Sequence, residues 1–362
     1  MSTELMRKRM ITAYREVRKP DLFLAGFFKT PARNIFAGEK VSIDIKRGTE
    51  SISPVVSVMT GPTMNATDIF TTKEFTPPSF EEGAPFNCFD LLKRTFGVDE
   101  YQSTEAVNWF AAMMTRVIEA LGDLEDKINR TIEVQASQVL QTGLLTLKDK
   151  TGTAAYTIDF KPKATHFPTA ADPWDTTSDK LGDLEALADV IRDDSMQDAD
   201  TLIMGDDAFS LFIRDTEVQK FFNKLVLNIA ALAPVQPIAG VGGKFQGQVH
   251  IGNYRFNIWT YGGRYLDIGA STKTKFVLGS NVIMLSSGAR LDKVFGGVPR
   301  AVPVDPRFAG ILPDRISIPM ATDFSPNIYT TVDGKQVICE VASRPLCIPT
   351  AIDSFGCLDI DI

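Results

Sequence analysis

Apolar residues recur every three or four positions over one long stretch of this chain, from about Ser103 to Thr142. This spacing predicts an α-helix with one apolar face. Ser103 is a residue type that caps helix N-termini, and Gly143 is the type favoured just past a C-terminus. Such a helix is roughly 60 Å long, so we expect it to act as a strut. The charged face carries Arg116, Glu119, Asp123, Asp126, Lys127, Arg130 and Glu133.

A long amphipathic helix is often one arm of a coiled coil. Here the heptad line through Val107, Met114, Leu121 and Ile128 continues into the polar Gln135. The pattern therefore favours a helix that lies along a sheet over a coiled-coil seam.

The segments on either side of this helix alternate apolar and polar residues, which indicates β-strands. The alternation at 41–46 and the β-prone run Thr71–Thr76 predict a long hairpin, and its shortage of Leu suggests that it projects from the body. Leu144–Lys148 and Ala155–Phe160 predict a compact second hairpin. Before these, Leu22–Leu24 and Phe27–Phe28 form an apolar arm that needs cover, either from a partner or from its own body.

A second, mixed α/β body is predicted from about Asp179. We expect residues 286–328 to contain little regular structure, followed by a hairpin around Asp333–Gly334. The predicted helices are Leu181–Asp193, Asp206–Arg214 and Thr216–Lys224, and the predicted strands are Thr201–Gly205, Phe245–Ile251, Tyr254–Tyr261, Phe276–Leu278, Val282–Leu285, Ile328–Thr331, Gln336–Val341, Leu346–Ile348 and Leu358–Ile362.

Charge is distributed unevenly. The 362 residues carry a net charge of −7, which gives no basic footprint for nucleic acid over the whole chain. The first 20 residues nevertheless carry a net charge of +4, leaving −11 for the remainder. Such a basic cluster is most often a solvated face, and its functional interpretation is contact with an acidic neighbour or with packaged nucleic acid.

Cys88, Cys339, Cys347 and Cys357 lack the spacing of a zinc motif, so we expect buried free thiols in a reducing compartment. No apolar run is long enough for a transmembrane helix, and the N-terminus lacks the apolar core of a secretory signal.

The candidates for catalytic or ligand-binding chemistry are weak. His166 and His250 have no partner at ligand or triad spacing. Residues 240–244 lack the frame of a phosphate-binding loop, and the acidic residues between Asp193 and Asp200 lack the spacing of a calcium loop. We therefore predict no catalytic, cofactor-binding or metal-binding residues and no cofactor.

Arm, projecting hairpin, strut and α/β body together suit a subunit that interlocks with its neighbours. The alternative is an α/β hydrolase or binding domain with a regulatory N-terminal extension. The absence of a Ser, His and Asp constellation from the sequence weakens this alternative.

Several short stretches carry a resemblance to a known family: Leu22–Leu24, Phe27–Phe28, Lys40–Val41, Val55–Ser57, Glu74–Pro77, Leu92–Arg94, Val139–Gly143 and Pro345–Leu346 with the closing β run. With these stretches, the sequence is similar to the lambda-type major capsid protein E family. The order of the parts resembles the major capsid proteins of tailed phages, which share the Hong Kong 97 phage capsid fold.

The resemblance implies an α+β fold and no enzymatic activity. It divides the chain into an N-terminal arm (1–37), an extended E-loop (38–82), a P-domain with the spine helix at about 103–142 (83–180), an A-domain (181–314), P-domain return strands (315–349) and a C-terminal strand (350–362).

The resemblance also implies self-assembly through hexamers and pentamers into an icosahedral shell around double-stranded DNA. The implied partners are a scaffold, a portal, a decoration protein and, without sequence specificity, the packaged DNA, but no membrane. The implied location is the virion, after assembly in the host cytoplasm. Lys73 is a nominal candidate for the covalent cross-link of some relatives, but we expect none.

Overall fold

The computed structural model describes residues 22–31, 34–38, 40–45, 71–87, 109–175, 178–219, 242–303, 315–331 and 336–361. The basic cluster, Cys88, the distal part of the projecting hairpin, the predicted helix start at Ser103 and most of the predicted helix Thr216–Lys224 lie outside the described residues.

The described helices are α1 (Trp109–Thr142), α2 (Lys180–Ser195) and α3 (Asp206–Arg214). The strands are β1 (Val41–Ile45), β2 (Thr71–Phe75), β3 (Phe80–Asn87), β4 (Leu144–Lys148), β5 (Ala154–Asp159), β6 (Ala199–Met204), β7 (Gly243–Ile251), β8 (Tyr254–Tyr261), β9 (Arg264–Leu266), β10 (Lys273–Lys275), β11 (Asn281–Ser286), β12 (Leu291–Phe295), β13 (Val298–Pro303), β14 (Arg315–Met320), β15 (Ser325–Thr330), β16 (Gln336–Ser343), β17 (Pro345–Pro349) and β18 (Phe355–Asp359).

Helix α1 confirms the predicted strut. Its 34 described residues are about 50 Å long at 1.5 Å per residue. It ends where predicted, at Gly143, which has a φ of 66°. A side chain there would be strained by this φ and would overlap the ring of Pro162, so glycine is required twice over.

Several sheets pack around the C-terminal half of α1. The three-stranded sheet has the order β15-β16-β3, while β12–β17 and β4–β5 form two-stranded ribbons, and all three contact α1. Their apolar side chains share one core with Ile128, Ile132, Val139 and Leu140 of the helix. The helix therefore lies along sheets, as its pattern predicted.

A second core lies between helices α2 and α3 and a five-stranded sheet of order β18-β11-β6-β8-β7. Only the β6–β8 pair is parallel, so the sheet is mixed. Leu184 and Ile191 of α2 and Phe212 of α3 are fully buried against it. The edge strand β18 comes from the C-terminal segment, so the chain returns to this body after passing α1.

The apolar arm lies on its own subunit. Phe23, Leu24 and Phe28 are at most 3% exposed and belong to the core around α1. Lys29 also pairs its backbone with the outer edge of β12, donating to Leu291 O at 2.9 Å and accepting from Lys293 N at 2.9 Å. Of the two alternatives, residues 22–29 are therefore covered by their own subunit and not by a partner.

Two predictions about regular structure were wrong. Phe276–Leu278 is not a strand, because side chains of α1 bind its backbone groups in place of a neighbouring strand. Residues 286–328 contain β12, β13, β14 and the start of β15. Proline hides such strands in a sequence, but it is tolerated where an edge position needs no N–H donor.

We predict that Asp215→Asn destabilises the second body strongly. Lys180 is 1% exposed, and its Nζ donates to Asp215 Oδ2 at 2.7 Å. The amide leaves this buried ammonium without its counter-charge, which costs about 3 kcal/mol in free energy of unfolding. Urea denaturation measures the loss. The control Glu74→Gln disrupts an exposed pair with Lys40 and should cost less than about 1 kcal/mol, so equal costs would contradict the prediction.

Candidate functional site: the helix that anchors four segments

The C-terminal part of α1 carries five polar side chains that bind the backbone of segments distant in the fold. They are Glu133, Gln135, Ser137, Gln138 and Gln141, and we call them the anchor residues. Glu133, Gln135, Ser137 and Gln141 are buried. A backbone N–H or C=O buried without a partner is costly, so each anchor residue fixes the segment that it satisfies.

Glu133 anchors the arm. Its Oε1 accepts from Leu24 N at 2.8 Å and its Oε2 from Ala25 N at 2.9 Å. These N–H groups begin the short 3₁₀ turn Ala25–Phe27, whose own N-cap residue supplies no side-chain acceptor. A carboxylate from α1 therefore caps a turn that lies more than 100 residues earlier in the chain.

Burial raises the pKa of Glu133 to about 7. The two backbone donors, the Tyr261 hydroxyl and the positive charge of Lys293 act in the opposite direction, but the loss of water around the carboxylate outweighs them. Glu133 thus binds its proton near neutral pH.

Gln135 anchors β17. Its Nε2 donates to Pro345 O at 3.3 Å and its Oε1 accepts from Cys347 N at 3.2 Å. The carbonyl of Pro345 and the N–H of Cys347 lie on the edge of β17 that faces away from β12. One side-chain amide thus makes the two hydrogen bonds that a residue of a neighbouring strand would otherwise make there.

Ser137 and Gln141 anchor the loop that leads into β11. The Ser137 hydroxyl and Gln141 Nε2 both donate to Phe276 O, the second at 2.8 Å. Gln141 Oε1 accepts from Leu278 N at 3.0 Å and from Asn281 Nδ2 at 2.9 Å. This network joins α1 to β11, an interior strand of the five-stranded sheet, so it connects the two bodies.

Gln138 anchors the hairpin that follows the helix, because its Oε1 accepts from Thr146 N at 2.9 Å in β4. Helix α1 therefore holds the arm, β4, β17 and the loop before β11 through side-chain hydrogen bonds.

The predicted position of Glu133 on the charged, solvated face was wrong, since this side chain is fully buried. The prediction assigned charge to the outside and overlooked that Ile132 and Ala136 flank Glu133 in the buried stripe. The signal that could have found the site is the recurrence of glutamine at 135, 138 and 141, where a solvent-facing helix would carry charged residues.

The rejected catalytic candidates have structural positions. His166 is buried, with Nδ1 2.9 Å from Phe355 O and Nε2 3.0 Å from Asp194 Oδ2. Lys163 donates to the other carboxylate oxygen at 2.5 Å. This chain of contacts fixes the loop after β5 against α2 and β18. His250 is exposed on β7, far from any such arrangement.

Asp198 and Asp200 line an open polar cavity of about 730 Å³ together with Gln248, Asn253 and Arg255. Within the described residues, no three His, Cys, Asp or Glu side chains are grouped closely enough to hold a metal ion.

Cys339, Cys347 and Cys357 are free and buried, as predicted for them. Burial raises the pKa of the Cys347 thiol to about 12 and also raises that of Cys357, so neither is a reactive thiolate near neutral pH. Among the helices of the described ranges, none is both long and apolar enough to cross a membrane.

Comparison with known proteins gives one family. The model of the family described as phage major capsid protein E matches residues 8–355. No curated protein sequence matches the chain significantly.

A crystal structure of a protein assigned as a prophage capsid protein, from E. coli CFT073, has a TM-score of 0.61 at 15% identity and covers 94% of this chain and 93% of its own. Two further structures cover similar shares at lower scores. The SrpI encapsulin of Synechococcus elongatus PCC 7942 has a TM-score of 0.48 at 9% identity, covering 97% and 91%. The capsid protein of Myoviridae phage XM1 has 0.46 at 13%, covering 96% and 94%. The fold assignment rests on the first, and it confirms the predicted α+β fold of the Hong Kong 97 phage type.

We predict that Glu133 makes the stability of the protein depend on pH. Since its pKa is raised from 4.5 to about 7 on folding, the folded state holds the proton more tightly. The contribution of Glu133 to the free energy of unfolding is then largest below the unfolded pKa, falls by about 3 kcal/mol as pH rises from there to about 7, and levels off above it. Glu133→Gln should remove this slope in denaturation measured from pH 5 to 8. The control Glu119→Gln changes an exposed carboxylate of α1 and should keep the slope; a slope unchanged in Glu133→Gln would contradict the prediction.

Proposed function

Because the chain belongs to the phage major capsid protein E family, we propose that its parts take the roles of a shell subunit in the way that the sequence suggested. The chain is a structural protein of the virion that associates with copies of itself, and its family and fold are not those of enzymes. The alternative of an α/β hydrolase or binding domain has no support in either.

The proposed division of the chain is an arm (1–37), an E-loop (38–82), a P-domain (83–180), an A-domain (181–314), return strands (315–349) and a C-terminal strand (350–362). Three of these boundaries can be compared with the strands. The boundary at 82/83 falls within β3, the one at 314/315 falls inside the β13–β14 ribbon, and the last segment contributes β18 to the sheet of the A-domain.

One observation carries the proposed assembly role of the E-loop: β1 and β2 pair only with each other among the described strands. A lone two-stranded ribbon is marginal in water, and its open edges favour association. The root is nevertheless fixed, since the Tyr156 hydroxyl donates to Thr76 O and the rings of Phe75 and Phe160 lie 5.3 Å apart. A firm root with an uncovered ribbon suits an element that crosses onto a neighbouring copy.

The further proposed partners are a scaffold, a portal and a decoration protein, with non-specific contact to packaged double-stranded DNA. We place assembly of the hexamers, pentamers and icosahedral shell in the host cytoplasm. The basic N-terminal segment and the acidic remainder support a role of electrostatics in these contacts.

We expect deletion of Ser57–Thr72 to leave a folded subunit and to abolish stable shells, because neither described core uses these residues. Electron microscopy scores the shells, and circular dichroism with size-exclusion chromatography scores the subunit. Wild-type protein that stays monomeric at high concentration, even with scaffold, would contradict the proposed function. Normal shells from the deletion variant would contradict only the role of the hairpin.

We also expect charge reversal of Arg7, Lys8 and Arg9 to reduce particle yield and to make assembly less sensitive to salt, since salt screens exposed charges. Reversal of the exposed Lys150 and Lys273 is the control and should leave both properties unchanged. Wild-type yield and an unchanged salt response in the N-terminal variant would refute this role.

A further inference from the structure

Ser343, the last residue of β16, and Arg344, which leads into β17, together hold the two strands of the β13–β14 ribbon at one end, its root. Ser343 Oγ donates to Asp323 O at 2.5 Å, and Asp323 follows the end of β14 by three residues. Arg344 Nη1 donates to Gly297 O at 3.1 Å, and Gly297 immediately precedes β13.

The same arginine also holds the β1–β2 ribbon. Arg344 Nη2 donates to Pro77 O at 3.0 Å, two residues after β2. At the same end of this ribbon, on the β1 side, Gly297 N donates to Gly38 O at 3.3 Å. A Cβ on Gly297 would overlap the carbonyl oxygen of Ala37, so only glycine permits this close approach. The ends of four strands therefore meet at Gly297, the Arg344 guanidinium group and the Ser343 hydroxyl.

This junction rests on the core around α1. The backbone oxygen of Arg344 accepts from Gly296 N at 3.0 Å, and the oxygen of the next residue, Pro345, accepts from Gln135 of α1. Val298, at the start of β13, is fully buried. Arg344 Nε is buried without a hydrogen-bond partner, the one such side-chain atom in the described part of the chain. The guanidinium group thus leaves its Nε–H without an acceptor while its two Nη atoms donate to the carbonyl groups of Gly297 and Pro77.

Among the described strands, β13 and β14 pair only with each other, and proline blocks one edge of this ribbon more than the other. Pro299 pairs with Pro319, and neither residue has an N–H, so this pair must be a non-hydrogen-bonded one whose backbone positions face outward. By the alternation of the ladder, the outward positions of β13 are Pro299, Ala301 and Pro303, and those of β14 are Arg315, Ser317 and Pro319. Proline removes two of three donors from the β13 edge and one of three from the β14 edge.

From these contacts we propose that the β1–β2 and β13–β14 ribbons form one assembly element, whose root is held in place by Arg344. Within this element, the β14 edge binds an extended segment of a second copy of this chain. This inference rests on the proposed shell-forming role, because shell assembly surrounds each subunit with further copies. An open strand edge binds an extended segment through its backbone N–H and C=O groups. Because both ribbons are bonded to Arg344, binding of another copy at one ribbon also restrains the position of the other ribbon.

Hydrogen exchange on the unassembled subunit tests whether Arg344 holds both ribbons. Arg344→Met should raise amide exchange in β1–β2 and β13–β14 together, by about tenfold or more, because it removes two charge-assisted hydrogen bonds. Arg344→Lys keeps the charge and most of the stem, and it should give the same pattern at smaller size if the first variant folds poorly. Arg255→Met, which removes an exposed arginine bound to Gln248, is the control and should change neither ribbon. A rise in one ribbon alone, or in neither, overturns this role of Arg344.

A pair of proline substitutions tests the edge. Ser317→Pro removes an outward N–H from β14 and should lower particle yield at least about tenfold, with the free subunit still folded. Ala301→Pro makes the same change on the blocked β13 edge and should assemble like wild type. Equal yields from the two variants overturn the edge assignment. If wild-type protein forms no shells, the proposed function fails and the edge assignment falls with it, while exchange in the free subunit still decides the role of Arg344.

Discussion

The structure depends on buried hydrogen bonds from side chains of one helix to the backbone of other segments. Apolar burial alone would let the arm, β4, β17 and the loop before β11 slide along α1, since hydrophobic contact is not directional. Hydrogen bonds from Glu133, Gln135 and Gln141 are directional, and each satisfies a donor or acceptor that would otherwise be buried alone. The core supplies most of the favourable free energy, and the anchor residues select one register for each segment.

This division of labour suits a shell subunit. A subunit under load from its neighbours needs a stiff centre, and here the centre is a helix tied to segments from the arm to the C-terminal strands. The hydrogen bonds that tie the β1–β2 and β13–β14 ribbons to that centre lie at their roots, so the described strands of both ribbons keep edges for other copies. Helix α1 and the segments bound to it therefore provide the rigid centre, while the β1–β2 and β13–β14 ribbons provide the contacts with other copies.

Local patterns predicted most of the regular elements. The end of α1, the hairpin β4–β5, helix α3 and strand β8 were predicted to within two residues, because apolar periodicity and turn residues specify them locally. Strand pairing across the chain was not predictable in this way. The pairing of β18 with β11 and of the arm with β12 depends on which partner each edge finds after folding.

The candidate site was mostly invisible in the sequence for a related reason. A buried glutamate and a surface glutamate on a helix have the same local pattern, and only the distant turn that Glu133 caps distinguishes them. Likewise, nothing near Arg344 indicates that its guanidinium group lies between Pro77 and Gly297. Residues whose partners lie hundreds of positions away require the fold before they can be assigned.

The position of β18 has a consequence for biosynthesis. This strand lies at the edge of the five-stranded sheet, although it is synthesised about 70 residues after β11, its neighbour in that sheet. Strands β16 and β17, which cover α1, are likewise made late. Until these strands have been made, the growing chain lacks both the cover of its central helix and the last strand of its second body. The fold therefore delays the appearance of a complete subunit until translation has passed Asp359, so association between complete subunits can begin only after that point.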